Sequence, residues 1–437
     1  MILKTTDIQN GRLRLHLVHT DKFKATRFSV NFITESDRYY STLEKLMLSV
    51  MLRGSEAYPT VIALNKALDE RYGATVSVHS SIAGNKAVHR ISCKMLKDKY
   101  AFSDDVTDIF DGVMAIISDI LFHPLKDEKG LFCEAFVESE KKIAIDHINA
   151  KKNDLKAYAS EQCSKNMLEN SKYGVAIDGD VELVGSFTSE NLTEHVKRFF
   201  SKCRIECFYV GDESHDNVRR LIEKYFVLES GDGNSLEYGE KPFERDGGDV
   251  KYIQEDEDVS QGKLVLGYRC DTVLSDRDYY AMLLFNEMFG GGSVSKLFLN
   301  LREKKSLCYY CYSSLHSATG TVKVGCGIDP EKKDDAQNEI ARQLSAMQNG
   351  DFTDSEIDTA KHTLLASYKQ INDSPAAIEA FLMRRILAGI CEEPHVCCEK
   401  ISAISRDEII AAANKMELDT VYFLNGYGED EEDAEYE

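Results

Sequence analysis

The sequence predicts an α+β protein with two similar domains. Predicted strands and helices occur in both halves of the chain. Residues 229–249 between the halves are poor in aliphatic side chains and rich in glycine and acids, which is the composition of a linker. Each half also closes with a capped helix and an aromatic strand, about 214 residues apart, which is a weak internal repeat. A chain of 437 residues is long enough for more than one domain.

In the first half, strands are predicted from apolar runs and helices from apolar residues at helical spacing. One helix carries Leu43, Leu46, Met47, Val50 and Met51 on a single face and ends at Gly54. Strands are predicted at 13–19, 25–33, 74–81, 86–95 and 205–210, and further helices at 60–72, 106–122, 129–150, 154–170, 189–202 and 215–226. The predicted N-terminal domain is residues 1–228.

The second half repeats part of this order. Strands are predicted at 264–270, 307–313 and 320–327, and helices at 276–289, 331–349, 354–373 and 375–390. These segments give a C-terminal domain of residues 250–428. The last nine residues, 429–437, contain seven acids, which predicts a solvated and disordered tail.

Residues 289–313 contain the most specific motif. Gly290–Gly292 follow Phe289, and three residues without a Cβ atom allow positive φ angles and the close approach of another chain. Ser293 is predicted to be a helix N-cap. The apolar face of that helix would be Val294, Leu297, Phe298 and Leu301. Arg302 and Tyr309 then lie at the junction between the helix and the next strand. No Gly-Lys-Ser/Thr follows the glycines, so a phosphate-binding loop is not predicted.

This order of residues resembles the C-terminal domain of the pitrilysin/insulinase zinc metallopeptidases, a family that includes the mitochondrial processing peptidases. The shared strings are Phe-Gly-Gly-Gly at 289–292, Ser-x-Leu-Phe at 295–298, Leu-Arg-Glu-Lys at 301–304 and a small residue before Tyr309. The resemblance covers nearly the whole chain, with its specific motifs in 285–313. It implies two homologous domains, each a mainly antiparallel sheet with helices packed on one face, that form a half-clamshell.

An active member of that family carries His-x-x-Glu-His on the first long helix. Its two histidines, one helical turn apart, bind zinc, and its glutamate is the general base. This chain contains no such motif. Counting back from Gly54, the motif positions fall on Lys45, Leu48 and Ser49. We therefore predict a pseudo-metallopeptidase without a catalytic residue, a metal or another cofactor.

The resemblance assigns a role to a further acid. Family members place the third zinc ligand in a glutamate-rich and basic segment, and residues 138–143 match it, with Glu138 in the ligand position. The alternative is a surface acid that pairs with Lys141 or Lys142 on the same helix.

The resemblance also implies a peptide-binding role for the second motif. In the family, the matching arginine and tyrosine hold the substrate backbone and stabilise the oxyanion. Non-catalytic processing-peptidase subunits use a similar glycine loop to handle substrate. Gly290, Gly291, Gly292, Arg302 and Tyr309 are therefore predicted to bind peptide. The alternatives are that Arg302 and Tyr309 are inherited structure and that the glycines only shape a helix cap.

Composition narrows the choice of partners and location. The chain has 53 basic and 74 acidic residues, a net charge of −21, which argues against binding nucleic acid or anionic membranes. Its twelve cysteines show no second Cys-x-x-Cys to match the one at Cys308, so they are read as mostly buried thiols of a reducing compartment. The first residues do not resemble a signal peptide, and no segment could span a bilayer. We expect a soluble cytoplasmic protein.

The sequence therefore predicts an inactive subunit that resembles the bacterial YmfF type. It would form the facing wall and part of the peptide grip of a processing-protease chamber. Its partner would be an active homologue, or a second copy of itself. Two alternatives are an active peptide hydrolase with atypical ligands, and a scaffold or homodimer without a peptide role.

Overall fold

The computed structural model describes residues 2–9, 11–102, 108–169, 171–228, 231, 236–244 and 248–426. The tail predicted at 429–437 and parts of the linker predicted at 229–249 lie outside these ranges. The chain forms two compact units. Unit 1 comprises Met1–Asn149, Val175–Glu237 and Pro375–Ala380, and unit 2 comprises Ala150–Gly174, Tyr238–Ser374 and Phe381–Glu437.

Unit 1 contains a six-stranded sheet. Its strands are β1 (Ile2–Ile8), β2 (Leu13–His19), β3 (Ala25–Glu35), β4 (Thr75–Ala83), β5 (Lys86–Leu96) and β6 (Arg204–Gly211). Their order across the sheet is β1-β2-β6-β3-β5-β4. The pairing of β2 with β6 is parallel, and the other pairings are antiparallel. The sheet is therefore mainly antiparallel, as predicted.

Helices pack against this sheet through alternate strand residues. Leu13, Leu15 and Leu17 of β2 and Phe28, Val30 and Phe32 of β3 are buried in one apolar core. The first four helices of unit 1 are α1 (Arg38–Met51), α2 (Val61–Asp69), α3 (Ile109–Phe122) and α4 (Glu134–Ala150). The next helix along the chain, α5 (Leu155–Met167), belongs to unit 2. Unit 1 then continues with α6 (Val181–Ser186), α7 (Ser189–Lys202) and α8 (His215–Tyr225). The apolar face predicted for residues 43–51 is buried in this core.

Unit 2 contains a five-stranded sheet. Its strands are β7 (Lys251–Glu257), β8 (Gly262–Arg269), β9 (Tyr310–His316), β10 (Thr321–Ile328) and β11 (Glu417–Gly426). Their order is β7-β11-β8-β10-β9. Its other helices are α9 (Tyr279–Asn286), α10 (Lys333–Gln348), α11 (Asp354–Gln370), α12 (Pro375–Leu387), α13 (Pro394–Ala403) and α14 (Arg406–Ala413), of which α12 begins in unit 1.

The two sheets share one topology. In each, the last strand along the chain pairs in parallel with an early strand and antiparallel with the next one. The order β7-β11-β8-β10-β9 then corresponds strand by strand to β2-β6-β3-β5-β4. A parallel pairing at the same place in two antiparallel sheets is a specific feature, so the topology supports two homologous domains.

The units differ from the predicted domains at two segments. Residues 150–174 pack in unit 2, because Ala159 and Cys163 of α5 share a small core with Val265 of β8. Residues 375–380 pack in unit 1, where Glu379 is fully buried and accepts a hydrogen bond from Ser29 at 2.7 Å. Val265, which contacts α5, points to one face of the sheet, and its neighbours Leu264 and Leu266 point to the other face. All three side chains are buried, so both faces of the sheet are covered. Helices therefore cover both faces of this sheet, not one face as predicted.

No helix in the described ranges has both the length and the apolar composition needed to cross a membrane.

Candidate functional site

The positions predicted for the degenerate zinc motif lie on α1 in unit 1. The carboxylate of Asp37 caps this helix and accepts hydrogen bonds from its first backbone N–H groups at 2.8 and 2.9 Å. Lys45 and Ser49 are one turn apart and half-buried, and both line a pocket. Leu48, by contrast, is fully buried in the core of unit 1.

The pocket beside Lys45 has a volume of about 220 Å³. It is lined by Thr42, Lys45, Leu46, Ser49, Glu140, Ile143, Ala144, His147, Asp178 and Val184. The helix α4 contributes four of these residues at helical spacing, from Glu140 to His147. The pocket is therefore formed by the helices α1, α4 and α6 and by the loop that carries Asp178.

Charges inside this pocket are paired with one another. The Lys45 ammonium forms an ion pair with the Asp178 carboxylate. Nδ1 of His147 lies 3.9 Å from the same carboxylate. The Ser49 hydroxyl donates to the backbone carbonyl of Lys45, one turn earlier in the helix, at 3.1 Å. Because the cation has its own carboxylate, no ligand is required to neutralise it.

A tight loop brings Asp178 to Lys45. Gly179 has a φ of +66°, and its N–H donates to the carbonyl of Ala176. A Cβ atom at Gly179 would lie 2.7 Å from Cγ2 of Thr42 on α1, so only glycine allows this close approach. The next residue, Asp180, caps α6 by accepting from the N–H of Leu183 at 2.8 Å.

The residues at this site do not fit a zinc ion. A tetrahedral zinc site needs imidazole, thiolate or carboxylate donors. Lys45 is held in an ion pair, Leu48 has no donor atom, and the Ser49 hydroxyl is bonded within its own helix. Across the described ranges, no group of three or more His, Cys, Asp or Glu side chains is placed to hold a metal. We derive no hydrolytic step at this site.

Glu138 lies outside the pocket, and the structure corrects its assignment as the remaining ligand position. Its side chain is 56% exposed and accepts a hydrogen bond from Lys141 at 2.8 Å. This is the surface pairing that the sequence left as the alternative. The same helix turns Glu140 and His147 toward Lys45 instead. Glu140 is held by an ion pair with Arg53.

Sequence reasoning missed His147 and Asp178. The signal for His147 was available, because it lies seven residues after Glu140, on the same face of a predicted helix. Asp178 had no such signal, since it is about 130 residues from Lys45 in sequence and reaches it through a loop.

A buried acid on α1 was also missed. Glu44 is almost fully buried and accepts hydrogen bonds from His89 at 3.1 Å, from His195 at 3.2 Å and from Thr34 at 2.9 Å. Burial by itself raises the pKa of Glu44, but the hydrogen bonds from His195, His89 and Thr34 outweigh it and lower the pKa below its usual value. These bonds join α1 to β5, α7 and β3, so Glu44 stabilises unit 1.

The glycine run predicted to bind peptide lies in unit 2, where α9 continues into a wider π-helical turn over Glu287–Gly291. None of the three glycines has a positive φ. They are needed for close approach: a Cβ atom at Gly290 would lie 2.6 Å from the backbone N of Ser313. Cβ atoms at Gly291 and Gly292 would lie 2.9 and 2.7 Å from the carboxylate of Glu287.

The helix after the glycines begins later than predicted. Ser295, not Ser293, lies where the N-cap is expected: its hydroxyl accepts from the N–H of Phe298 at 3.5 Å, and its carbonyl accepts from Leu299. The segment Phe298–Lys304 is a π-helix. Of the predicted apolar face, Leu297 and Leu301 are buried and Phe298 is half-buried, whereas Val294 is exposed.

Arg302 and Tyr309 are both exposed on unit 2. The Arg302 guanidinium lies 5.0 Å from the centre of the Phe298 ring and 3.9 Å from the carboxylate of Glu303. The Tyr309 hydroxyl donates to Asp329 at 2.6 Å. The hydrogen bond to Asp329 raises the pKa of Tyr309 above its usual value, so this hydroxyl stays protonated and remains a donor at neutral pH.

Comparisons with known proteins identify the family. The family described as "Peptidase M16 inactive domain" matches residues 186–364. A Bacillus subtilis protein named "Probable inactive metalloprotease YmfF" is 31% identical over 418 residues, which are 96% of this chain and 97% of that protein. The chain belongs to the M16 peptidase family. This confirms the resemblance to the pitrilysin/insulinase peptidases that the motif at 289–309 predicted.

Solved structures agree with the M16 fold. A conserved protein from Enterococcus faecalis superposes with a TM-score of 0.89 and 25% identity, covering 98% of this chain and all of that one. An M16 inactive-domain protein from Pseudomonas fluorescens superposes with a TM-score of 0.77 and 17% identity, covering 98% of this chain and 99% of that one. The predicted α+β class with two mainly antiparallel sheets is confirmed.

The comparisons also bear on the zinc motif. The M16 description that matches is that of an inactive domain, and the Bacillus subtilis relative is named as inactive. Both agree with the prediction of a pseudo-metallopeptidase, which was made because this M16 chain has Lys45, Leu48 and Ser49 at the motif positions.

Proposed function

We propose that this M16 chain is a catalytically inactive subunit that forms the facing wall and part of the peptide grip of a protease chamber. An active M16 homologue would supply the His-x-x-Glu-His site. The observation that carries the proposal is the ion pair between Lys45 and Asp178 at the family's metal position. A side-chain pair that neutralises itself there replaces the metal site with a structural contact.

The grip is assigned to unit 2 because Arg302 is available for it. Within the described residues its guanidinium donates no hydrogen bond, and its nearest carboxylate, on Glu303, is 3.9 Å away. A planar group with five donors suits peptide carbonyls and carboxylates. Tyr309 is exposed on the same segment, and its bond to Asp329 orients the ring.

A pocket beside the glycines supports the same assignment. Its volume is about 220 Å³, enough for a peptide side chain, and it is lined by Glu287, Met288, Gly292, Ser293, Val294, Ser295, Leu299, Ser355, Glu356, Thr359, Ala360 and Thr363. Burial raises the pKa of Glu287, which has no hydrogen-bond donor among the described residues. The pocket therefore combines an apolar lining with one unbonded carboxyl group and is accessible, as a site that accommodates varied peptides requires.

The cytoplasmic location belongs to this proposal. All twelve cysteines lie in the described part of the chain, and all are free thiols. Free thiols are typical of reducing compartments.

Reconstitution tests the proposal. The chain is co-expressed with a homologue of similar length from the same genome that carries His-x-x-Glu-His, and cleavage of a quenched fluorescent peptide is measured. We expect cleavage by the mixture, little by either chain alone, and zinc only in the partner. Arg302→Ala should weaken cleavage by the complex, and Glu303→Ala on the neighbouring exposed residue is the matched control.

Each alternative predicts a different outcome. Stoichiometric zinc and cleavage in the isolated chain would favour a hydrolase with atypical ligands. A stable homodimer that neither binds the homologue nor changes its cleavage rate would favour a scaffold. Unchanged cleavage in a complex carrying Arg302→Ala would refute peptide binding by Arg302, but it would not affect the proposal that the chain forms a wall of the chamber.

A further inference from the structure

Unit 2 holds a second pocket, formed by α5 and the strands β9 and β10. Its volume is about 570 Å³, and it is lined by Asp154, Lys156, Ala157, Ser160, Glu161, Ser164, Tyr312 and Lys323. Nothing in the M16 resemblance assigns these residues a role. They combine two lysines, two serines and a tyrosine hydroxyl around one opening.

Tyr312, which lines this pocket, and its neighbour Tyr310 form a fixed aromatic platform. Tyr310 and Tyr312 of β9 lie directly opposite Gly327 and Gly325 of β10 in the sheet register. Each ring covers its glycine, and a Cβ atom at Gly325 would lie 2.7 Å from the ring of Tyr312. The two rings are stacked, with centres 6.2 Å apart. Because the glycines leave room for the rings to lie against the strand, the tyrosines are held in place.

This platform holds the ammonium of Lys156. Its Nζ lies 4.7 Å from the centre of the Tyr310 ring and 4.5 Å from that of Tyr312. Such distances give a favourable cation–π interaction, and the Lys156 side chain remains exposed. Among the described residues, no carboxylate lies within ion-pair distance of Lys156 and no acceptor takes its protons. The ammonium is therefore oriented but not neutralised.

A second ammonium lies behind the first. Lys323 is only 9% exposed and donates to the hydroxyls of Ser164 at 2.7 Å and Ser160 at 2.8 Å, and to the carbonyl of Ser160 at 3.1 Å. Burial lowers the pKa of Lys323 below its usual value. Within the described ranges no carboxylate lies at ion-pair distance from Lys323, although Glu161 attracts its charge from farther away. A buried charge without a direct counter-ion is unfavourable.

A chain of hydrogen bonds links the Lys323 ammonium to the pocket through Ser160 and Tyr312. Burial raises the pKa of Tyr312, and a hydrogen bond from the Ser160 hydroxyl opposes that rise. A hydroxyl has one proton, and Ser160 already accepts from Lys323, so its own proton goes to the oxygen of Tyr312. The proton of Tyr312 is then left to donate outward. Two donors, Lys156 and Tyr312, thus face a pocket whose two lining carboxylates, on Asp154 and Glu161, are already bonded to other groups.

The charge count favours a single negative charge on the ligand. Lys156 and Lys323 give two positive charges. Asp154 gives one negative charge while capping α5 through the N–H of Ala157 at 3.0 Å, and Glu161 is neutralised by Lys151 at 2.7 Å. The local balance is one positive charge in a chain of net charge −21. A carboxylate fits this balance better than a phosphate dianion does.

We propose that this pocket binds the carboxylate of a peptide, with the ammonium of Lys156 and the hydroxyl of Tyr312 as the donors and Lys323 as the buried positive charge behind them. The inference rests on the proposed function only for the peptide nature of the ligand. The carboxylate is either the C-terminus or an acidic side chain, and the experiment distinguishes the two.

The test uses the full chain and follows acylation of Lys156 by N-hydroxysuccinimidyl acetate, read by mass spectrometry. The probes are N-acetyl-trialanine as the free acid, its C-terminal amide, and the amide of N-acetyl-Ala-Glu-Ala. A bound carboxylate shields the ammonium. The free acid at four times its dissociation constant should therefore slow acylation about fivefold. Exposed Lys142 in unit 1 should react unchanged. Protection by the glutamate peptide would assign the pocket to acidic side chains as well.

Matched variants test the donors. Tyr312→Phe keeps the ring on Gly325 and removes one hydroxyl, so the acid concentration for half protection should rise about tenfold, as expected for loss of a hydrogen bond to a charged group. Tyr310→Phe makes the same change on the neighbouring ring and should shift it less than about twofold. Ser160→Ala breaks the chain of hydrogen bonds and should act in the same direction as Tyr312→Phe.

Three results would overturn the inference: equal effects of the acid and the amide, no protection by any acid in the folded chain, or protection by inorganic phosphate at lower concentrations than by acetate. Its failure is distinguishable from failure of the proposed function, because peptide cleavage by the reconstituted complex is measured separately.

Discussion

Replacing Gly290 by alanine tests whether this residue is a packing position or an open peptide-binding position. In the structure Gly290 is buried, and an added Cβ atom would lie 2.6 Å from the backbone N of Ser313 and 2.8 Å from Cδ1 of Leu297. Overpacking of this kind costs about 1–3 kcal/mol. Replacing a helical glycine by alanine recovers about 0.5–1 kcal/mol. The expected net loss is about 1–2 kcal/mol, because the closest neighbour is backbone and cannot rotate away.

Gly292→Ala is the matched control. Its added Cβ atom would lie 2.7 Å from the carboxylate of Glu287, a side chain that can rotate away, and its φ of −101° suits any residue. The expected change is within about 0.5 kcal/mol.

Urea unfolding followed by far-UV circular dichroism measures both variants, since the chain contains no tryptophan. The midpoint should fall for Gly290→Ala with an unchanged slope. Equal midpoints for the two variants would refute the packing argument and would indicate that a side chain is tolerated at Gly290.

Three further outcomes follow from the same structure. Lys45→His with Ser49→His places two imidazoles one turn apart beside Asp178, so this double variant should retain zinc after dialysis; a folded variant without zinc would show that the pocket cannot take a metal. Arg302→Ala should leave the urea midpoint unchanged, because the guanidinium is exposed, while it weakens peptide affinity of the reconstituted complex at least about tenfold; a lower midpoint with unchanged affinity would make Arg302 structural. Burial raises the pKa of Glu240 to about 7, so its contribution to stability is complete below the ordinary value of 4.5 and is lost as pH rises through about 7. Glu240→Gln should therefore reduce the change of the urea midpoint with pH over that range. An unchanged pH profile would exclude Glu240 as its cause.

Local patterns predicted most of the secondary structure. The stripe at residues 43–51 identified α1, because burial of one face is the main reason that such a helix forms. The strand hairpin at 74–95 and the aromatic strands at 205–210 and 421–426 were also identified. These elements depend on neighbours a few residues away, which a single sequence displays directly.

Long-range packing was less accessible to sequence reasoning. The helix α5 was predicted with the N-terminal domain because it follows α4 directly, yet Cys163 packs against Val265, about 100 residues later. The glycines at 290–292 were explained by positive φ angles and by close approach of another chain; none has a positive φ, and the close approach is that of Ser313 and Glu287 of the same chain. In both cases the reason for the residue lies on another element.

The assignment of Glu138 failed for a related reason. The family pattern located the correct helix, but a helix turns a different side chain to the pocket at each position, and three or four residues separate neighbours on one face. Glu138 therefore points to solvent and pairs with Lys141, while Glu140 and His147 face Lys45. A pattern match fixes a helix more reliably than it fixes which of its residues lines a site.

The two lysine-containing pockets differ in how their charge is neutralised. In unit 1, Lys45 is neutralised by Asp178, which a glycine-dependent loop delivers, so this pocket needs no ligand. In unit 2, neither Lys156 nor Lys323 has a carboxylate within ion-pair distance among the described residues. For Lys323, which is only 9% exposed, burying an unpaired ammonium is costly. A protein that only needed a stable fold would gain by pairing or removing such a charge. The unpaired and buried Lys323 of unit 2 is therefore better explained by an anionic ligand than by stability, whereas the paired Lys45 of unit 1 is explained by stability alone.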